Sequence, residues 1–317
     1  MKKKPLWTRI IERYSRKRIY FLYYLILIGL VGLSMHLLSR NELYHSSLLY
    51  ILIPYLISVA ITLFRPAKAG EGLLQQYTSH ILTALSILLS TSILIGEGFI
   101  CVTFFAPIYI LVVSVTYLIR AWSKNKRTYS TVLPALIVVL SLEGTMPSLS
   151  LPRDTFVEIT RSTSLSPEQI KSNLAKPFNL QKQRHWLISI FPMPYRIDAG
   201  SLNEGDIHTV YTRYHRWFFT NTHEGQARLL IEKVNQHKVV TRVLSDDTYF
   251  TNYLEGSGTE INLTPNAEGG TDITLKLFYS RKLDPAWYFY PLMKFGVDKM
   301  GELIIDELML RDSNSTT

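Results

Sequence analysis

The first half of the chain contains long apolar runs almost free of charge, and these runs constrain its fold more than any other feature. The first run, 19–38, has about the 20 residues that a helix needs to cross a hydrocarbon layer of roughly 30 Å. Further runs lie within 47–64, 79–96 and 99–120. Because a helix satisfies its own backbone hydrogen bonds in lipid, each run predicts a membrane-spanning helix. A signal peptide is the alternative for the first run, but Ser39-Arg40-Asn41-Glu42 follows it in place of a small-residue cleavage site.

A fifth run, within 130–143, decides on which side of the membrane the second half lies. Its strongly apolar part, 131–142, has only 12 residues, which also fits an interfacial or re-entrant segment. Glu143 is the only charge between Arg127 and Leu151, and thinning of the bilayer tolerates a modest mismatch in length. We favour five spans over four, at about 19–38, 47–64, 79–96, 99–120 and 130–143.

Basic residues in the connections predict the orientation. Eight Lys and Arg residues precede the first span, whereas only Arg40 lies between the first span and the second. With the N-terminus in the cytoplasm, 14 of the 15 basic residues before position 152 lie inside, as the positive-inside rule requires. The sequence therefore predicts an integral protein of a bacterial-type inner membrane. Its soluble half is extracytoplasmic, in the periplasm, if the fifth span is real.

Charge and composition divide the chain into a basic N-terminal segment, 1–18, a transmembrane region, 19–151, and a soluble domain, 152–317. Residues 1–151 carry 15 Lys and Arg against 5 Asp and Glu, whereas residues 152–317 carry 19 against 20. Since the first half uses its charges for orientation, no basic face remains for nucleic acid, and the predicted partner is the lipid bilayer. Protein partners stay unknown. The single cysteine, Cys101, excludes a disulfide framework.

Short alternating runs predict an α+β fold for the soluble half. A strand at 155–163 leads to Ser166-Pro167-Glu168, which is typical of a capped helix N-terminus. Further strands are predicted at 207–214, 227–234, 239–244, 259–264 and 271–279. Asp284 begins a long C-terminal helix, with the alternative that the regular helix starts after Pro291. Its predicted apolar stripe consists of Trp287, Tyr290, Met293, Val297, Met300, Ile304 and Leu308.

The order of strand, helix, antiparallel strands and long C-terminal helix resembles the helix-grip fold of the START-like, polyketide-cyclase-like superfamily. The resemblance covers about half of the chain and is carried by 157–174, by the Gly205-Asp206 entry to a strand, by 270–275 and by the closing helix. Two features depart from the family pattern: a tryptophan usual near the end of the first helix is absent, and 182–203 fits no element. The resemblance implies a sheet wrapped around the long helix, with an apolar cavity for lipids, sterols or polyketides. Some members are enzymes and many only bind, so the fold does not choose between these functions.

No catalytic residue, metal site or cofactor is predicted. The sequence has no Gly-x-Ser-x-Gly elbow, His-Glu-x-x-His pair, Walker loop or dinucleotide fingerprint. Apart from Arg120 at the last position of the fourth span, His36 and His80 are the only basic side chains within the predicted spans, and both are expected near span ends.

The candidate ligand-binding residues come mainly from one strand. Tyr211, Arg213, His215 and Trp217 share one face if the strand is continuous. A guanidinium and an imidazole there can hold an acidic head group while the rings cover an apolar tail. The alternative is a wet outer face with cross-strand pairs. Tyr279 on the last strand and Met300 on the long helix complete the candidate set.

The favoured functional hypothesis is a membrane-anchored binding protein for a hydrophobic or amphiphilic small molecule, lipid-like or polyketide-like. One alternative is a cyclase- or dehydratase-type enzyme, which needs an acid or base inside the cavity. The other is a non-catalytic interaction module of a membrane complex, in which side chains fill the cavity.

Overall fold

The computed structural model of the protein describes residues 16–40, 43–64, 72–95, 99–122, 129–180, 193–217 and 220–310. The chain divides into two compact units between positions 150 and 151. Outside the described residues lie 1–15 of the predicted basic segment, the basic connections at 65–68 and 124–127, and the stretch around Trp186.

The N-terminal unit is helical at each of the five apolar runs. Its helices are α1, Arg16–Arg40; α2, Ile53–Phe64, which follows a π-helical turn at Leu48–Leu52; α3, Leu73–Ile95; α4, Phe99–Trp122; and α5, Tyr129–Ser141. A short 3-10 turn, Pro147–Leu149, ends the unit. Among the described residues, one helical segment, Val102–Ile119, is long and apolar enough to cross a membrane, and Leu48–Leu63 is a shorter apolar stretch. The number of spans therefore stays a prediction.

His80 lies inside a helix in the structure. Helix α3 begins at Leu73, so His80 is buried two turns from its start, and its expected position near a span end stays a prediction. Its Nε2 lies 3.0 Å from Oγ of Ser58 on α2, and its ring centroid lies 4.9 Å from that of Tyr117 on α4. The polar stretch 75–79 continues the helix, because helix formation needs no apolar side chains, whereas hydropathy alone placed the start later.

The C-terminal unit is α+β, as predicted. Its strands are β1, Asp154–Thr163; β2, Phe178–Asn179; β3, Pro194–Asp198; β4, Ile207–Trp217; β5, Thr220–Val234; β6, Lys238–Asp246; β7, Leu254–Pro265; and β8, Thr271–Arg281. Its helices are α6, Pro167–Leu174, and α7, Ala286–Leu310, and a 3-10 turn at Tyr249–Asn252 lies between β6 and β7.

The described strands form one curled antiparallel sheet in the order β1-β8-β7-β6-β5-β4-β3-β2. The six predicted strands are present, and β4 and β5 extend beyond their predicted ends to 217 and back to 220. Strands β2 and β3 were not predicted, since short segments with little alternation give no periodic signal.

The predicted start of α6 is confirmed at the level of its cap. Ser166 Oγ accepts from the backbone N–H of Gln169, and the Gln169 side chain accepts from the Ser166 N–H. This reciprocal capping box, with Pro167 at the first helical position, satisfies two backbone donors that a helix end leaves unpaired.

Helix α7 packs mainly on β1 and β8. Alternation along β8 buries Ile273, Leu275 and Leu277 against it. Gly301 permits the close approach, because an added Cβ would lie 2.2 Å from Cδ1 of Ile159 on β1. We call the side of the sheet that α7 covers the inner face.

The first turns of α7 differ from the prediction. The helix begins at Ala286 and contains Pro291, so the alternative start after Pro291 is wrong. Phe289 is buried, whereas Trp287 and Tyr290 of the predicted stripe are exposed. This part of the helix is apolar around its circumference, so spacing alone fits two faces, and the sheet selects the one that carries Phe289.

A buried charge cluster joins the end of β8 and the segment before β1 to the start of α7. The side chains of Arg281 and Asp284 are almost completely buried and form an ion pair. Arg153, just before β1, reaches the same carboxylate with Nη2 2.7 Å from Oδ2. Arg281 also donates to the carbonyls of Leu283 and Leu151, the latter over 3.4 Å. The cluster therefore satisfies both charges inside the protein.

We predict that Asp284→Ala lowers the free energy of unfolding of the C-terminal unit by about 3–5 kcal/mol, because it leaves the buried Arg281 without its carboxylate. Urea unfolding of the full chain in detergent, followed by near-UV circular dichroism, measures the loss. The control Glu232→Ala breaks an exposed ion pair with Arg242 and should cost about 1 kcal/mol or less. Equal losses for the two variants would contradict the prediction.

Candidate functional site

Inner-face side chains line a path across the sheet from β8 to β4. Tyr279 on β8 pairs with Gly256 on β7, and a Cβ at Gly256 would lie 3.6 Å from Cγ2 of Val243 on β6. Val243 pairs with Leu229 on β5. On β4, which pairs with β5, Val210 is the inner-face residue that follows the position opposite Leu229. We call Tyr279, Gly256, Val243, Leu229 and Val210 the inner groove.

Four of the five groove residues are less covered than the inner face of β8. Val210, Leu229, Val243 and Gly256 are only half-buried, whereas the inner residues of β8 are buried under α7. Since α7 packs mainly on β1 and β8, the central strands keep apolar surface that the helix does not cover. Gly256 adds room, because no side chain stands between Tyr279 and Val243 at that point.

Tyr279 supplies an unusual polar group at one end of the groove. Its side chain is 3% exposed, and within the described part of the chain its hydroxyl has no hydrogen-bond partner. Burial is the main cause that raises the pKa of Tyr279 to about 12, and the nearby Tyr290 and Asp298 contribute to the same shift. The hydroxyl therefore stays protonated at neutral pH. A buried hydroxyl without a partner costs about 1–3 kcal/mol, so a group that accepts its hydrogen bond would be bound favourably.

Three other polar residues on the inner face near the groove are paired. The hydroxyls of Thr241 and Thr259 lie 2.8 Å apart. Beyond Leu229, His208 is buried, and its Nε2 lies 2.6 Å from the carbonyl oxygen of Ser201. The unpaired hydroxyl of Tyr279 thus differs from these groups.

Aromatic rings close the β4–β5 end of the inner face. Tyr214 stacks on Tyr249 with ring centroids 4.4 Å apart, and the ring of His223 lies 5.7 Å from that of Tyr249. The backbone at Thr248 packs directly on β5 here, because a Cβ at Gly225 would lie 2.7 Å from Cα of Thr248. This end of the inner face is therefore filled by side chains.

The predicted candidates Tyr211 and Arg213 lie on the opposite, exposed face of the sheet. Arg213 Nε forms an ion pair with Glu224 at 2.9 Å, and its guanidinium lies 4.8 Å from the ring centroid of Tyr195. The guanidinium of Arg196 lies 4.5 Å from the ring centroid of Tyr211. These contacts are cross-strand pairs of the kind that the alternative prediction described.

The other candidates are distributed over two elements. His215 and Trp217 belong to β4, which is continuous to position 217, and they pair with Thr222 and Thr220; their side chains lie outside the described residues. Met300 is half-buried on α7, one residue before Gly301. Of the predicted residues whose side chains the structure describes, only Tyr279 belongs to the inner groove, and the structure does not bring it together with Tyr211 and Arg213.

Sequence reasoning missed Gly256, Val243, Leu229 and Val210 as groove residues. A usable signal was the register of the β4–β5 hairpin, in which Arg213 pairs with Glu224. Opposite charges at directly paired positions favour a solvated face. Recognising that pair would have placed the even-numbered residues of β4 on the inner face.

Within the ranges that the structure describes, no group of three or more His, Cys, Asp or Glu side chains is placed to hold a metal ion. The five groove residues offer apolar surface and the single hydroxyl of Tyr279.

No family model and no curated protein matches the chain. Solved structures similar to its C-terminal half include a protein from Thermus thermophilus, at 12% identity and a TM-score of 0.34 over 51% of this chain and 100% of the other. The Zhui aromatase/cyclase from a Streptomyces species aligns at 11% identity and a TM-score of 0.34, over 52% and 96%. A START superfamily protein from Mycobacterium smegmatis aligns at 13% and 0.34, over 49% and 95%. At these TM-scores the likenesses assign no activity to this chain.

We predict that Tyr279→Phe leaves the free energy of unfolding unchanged or raises it by about 1 kcal/mol, because it removes a buried hydroxyl without a partner. Urea unfolding of the full chain in detergent measures the change. The matched control Thr259→Val removes a paired hydroxyl from the same sheet and should cost about 1 kcal/mol. A loss for Tyr279→Phe as large as that of the control would show that the hydroxyl has a partner.

Proposed function

We propose that the chain is an integral membrane protein whose C-terminal unit binds a neutral, largely apolar small molecule in the inner groove. The single observation that carries this proposal is the buried Tyr279 hydroxyl, which has no partner among the described residues. Tyr279 pairs with Gly256, where the half-buried apolar surface begins. Sites for small ligands combine apolar walls with a few polar groups that fix orientation. Tyr279 supplies such a group.

The charges around the groove favour a neutral ligand with a hydrogen-bond acceptor, such as a ketone, ester or alcohol. Tyr279 donates its hydroxyl, and Asp298 lies near enough to help raise its pKa, so an anionic head group would meet repulsion. The inner-face cations are already used: Arg281 pairs with Asp284, and Arg161 pairs with Glu302 on α7 at 3.4 Å. An acidic head group would therefore find no free cation among these side chains.

Binding without chemistry is the function that this arrangement supports best. General acid–base catalysis needs a positioned acid or base with a pKa near the working pH. The pKa of Tyr279, at about 12, lies far above that range, and the other groove residues are apolar or glycine.

The polarity of the N-terminal unit supports its location in lipid. Large apolar side chains are exposed along its helices, among them Leu30, Leu33, Leu56, Leu82, Leu89, Ile93, Leu111, Val115, Leu136 and Val139. Buried hydroxyls instead bond to carbonyls of their own helices, as at Thr91, Thr116 and Ser141. Polar groups inside and apolar groups outside are what a lipid environment favours.

A backbone hydrogen bond within this unit supports five crossings. The N–H of Ser47, just before the π-helical turn that leads into α2, donates to the carbonyl of Glu143 after α5 over 2.9 Å. The end of α5 and the beginning of the second run therefore lie at the same end of the unit. With the N-terminus in the cytoplasm, residue 47 follows the first crossing, so Glu143 and the C-terminal unit after it would be extracytoplasmic. A four-span chain would leave Glu143 at the cytoplasmic end.

Native mass spectrometry of the full chain in detergent tests the groove with two probes, a 12-carbon methyl ketone and the carboxylate of equal length. We expect one ketone per chain and weaker binding of the carboxylate. Tyr279→Phe should weaken ketone binding about fivefold, since one net hydrogen bond is worth about 1 kcal/mol. Gly256→Leu should abolish binding, because its side chain fills the space beside Val243.

The control for these variants is Tyr211→Phe, which removes a tyrosine hydroxyl from the opposite face of the sheet. If Gly256→Leu binds the ketone as well as the unchanged chain does, the inner groove is not the site. Failure of the unchanged chain to bind either probe would favour an interaction module. A change in the mass of the bound ketone would indicate an enzyme.

Labelling of a single cysteine tests the membrane topology. In a Cys101→Ser background, Ser172→Cys places a thiol on the exposed surface of α6. A membrane-impermeant maleimide should label it in intact spheroplasts, because five crossings put the C-terminal unit outside the cytoplasm. Labelling only after lysis, with the chain still resistant to alkaline extraction, would show an even number of crossings.

A further inference from the structure

The exposed side of α7 carries a compact set of large side chains. Trp287, Tyr290 and Phe295 are 53%, 41% and 40% exposed, and Pro291 and Lys294 are exposed between them. We call these five residues the aromatic face of α7. The opposite side of the same turns buries Phe289, Met293 and Val297 in the protein, so the aromatic face does not contribute to the core.

The composition of this face matches a membrane–water interface. Tryptophan and tyrosine are enriched at headgroup depth, where the ring meets apolar chains and the polar atom stays hydrated. A lysine beside them reaches lipid phosphates, and each basic residue near an anionic leaflet contributes about 1 kcal/mol. An exposed apolar patch of this kind marks an interaction surface.

The start of α7 is held close to the point where the chain leaves the N-terminal unit. Arg281 donates to the carbonyl of Leu151, and Arg153 pairs with Asp284, two residues before α7 begins. Nine residues separate Leu151 from Ser141 at the end of α5, and even a fully extended link of that length spans at most about 35 Å. A short link, which we call the tether, therefore connects the end of α5 to the segment that holds the start of the aromatic face.

The tether has apolar side chains that are exposed. Met146, Leu149 and Leu151 all stand among the exposed large apolar residues. In water such side chains would be costly in a short link, whereas at a bilayer surface they are buried among acyl chains. Their chemistry favours a tether that lies along the membrane surface and keeps the start of α7 there.

We propose that the aromatic face of α7 docks on the surface of the bilayer that holds the N-terminal unit, with Trp287, Tyr290 and Phe295 inserted at headgroup depth and Lys294 at the phosphates. This inference rests on the proposed membrane location of the chain. It adds a second lipid contact, made by the C-terminal unit itself.

Fluorescence quenching on the full chain tests the docking. In a Cys101→Ser background, Lys294→Cys carries an environment-sensitive label, and the chain is reconstituted in vesicles of phosphatidylcholine and phosphatidylglycerol. An interfacial helix face lies about 5–10 Å into the headgroup boundary, so lipids with a shallow nitroxide should quench this label about twofold. The control label at Glu268→Cys lies in the β7–β8 turn, at the other end of β8 from α7, and should not be quenched.

A triple variant, Trp287→Ser with Tyr290→Ser and Phe295→Ser, should remove the quenching at position 294, while the exposed positions of these residues leave the fold intact. Equal access of a water-soluble quencher to labels 294 and 268 would overturn the docking. Shielding of label 294 from water without lipid quenching would also overturn it, because a protein surface would then cover the face. Release of the chain by alkaline carbonate would instead refute the membrane location, which separates the two failures.

Discussion

The carboxylate of Asp284 is the constraint on which the C-terminal unit depends. A buried charge loses hydration worth several kcal/mol, so it is stable only where opposite charges and donors replace the water. Here Arg281 at the end of β8 and Arg153 before β1 supply them. One carboxylate thus fixes the last strand, the first strand and the start of α7 together. Because α7 covers the two strands that this cluster joins, the cluster also selects the part of the sheet that the helix leaves open.

The inner groove follows from that placement. Gly301 brings α7 within contact of Ile159, so the helix and the β1–β8 edge pack without space between them. Val210, Leu229 and Val243 on β4 to β6 lie farther along the curled sheet and remain half-buried. Tyr279 stands at the boundary between the packed and the open regions. Native proteins seldom leave a buried hydroxyl unpaired, and the proposed ligand would supply the missing acceptor.

The strands with clear alternation, the serine cap of α6 and the long C-terminal helix were predictable, because local periodicity and capping chemistry determine them. The inner face of β4 was not predictable from alternation, since both of its faces mix aromatic and polar residues. The polar stretch 220–226 gave no strand signal. Had it been predicted to pair with β4, the Arg213–Glu224 pair would have been recognised. Burial of Phe289 in place of Trp287 likewise depends on the sheet, because both residues fit the helical period. Tyr279 was predictable as an inner residue, but its lack of a partner is a property of the assembled core.

For a ligand of the proposed class, the bilayer competes with the groove. Transfer of about ten methylene groups out of water is worth about 8 kcal/mol, which corresponds to a preference for lipid of about a millionfold. A site supplied from water would therefore meet almost no ligand, whereas a unit tethered to and docked on the bilayer meets the pool that contains it. The apolar tail gains nearly the same free energy in lipid and in an apolar groove, so these terms largely cancel on exchange between the two. In the proposed function, selection would then depend on the single hydrogen bond that Tyr279 donates to the ligand, and the near balance would let the ligand leave as readily as it enters.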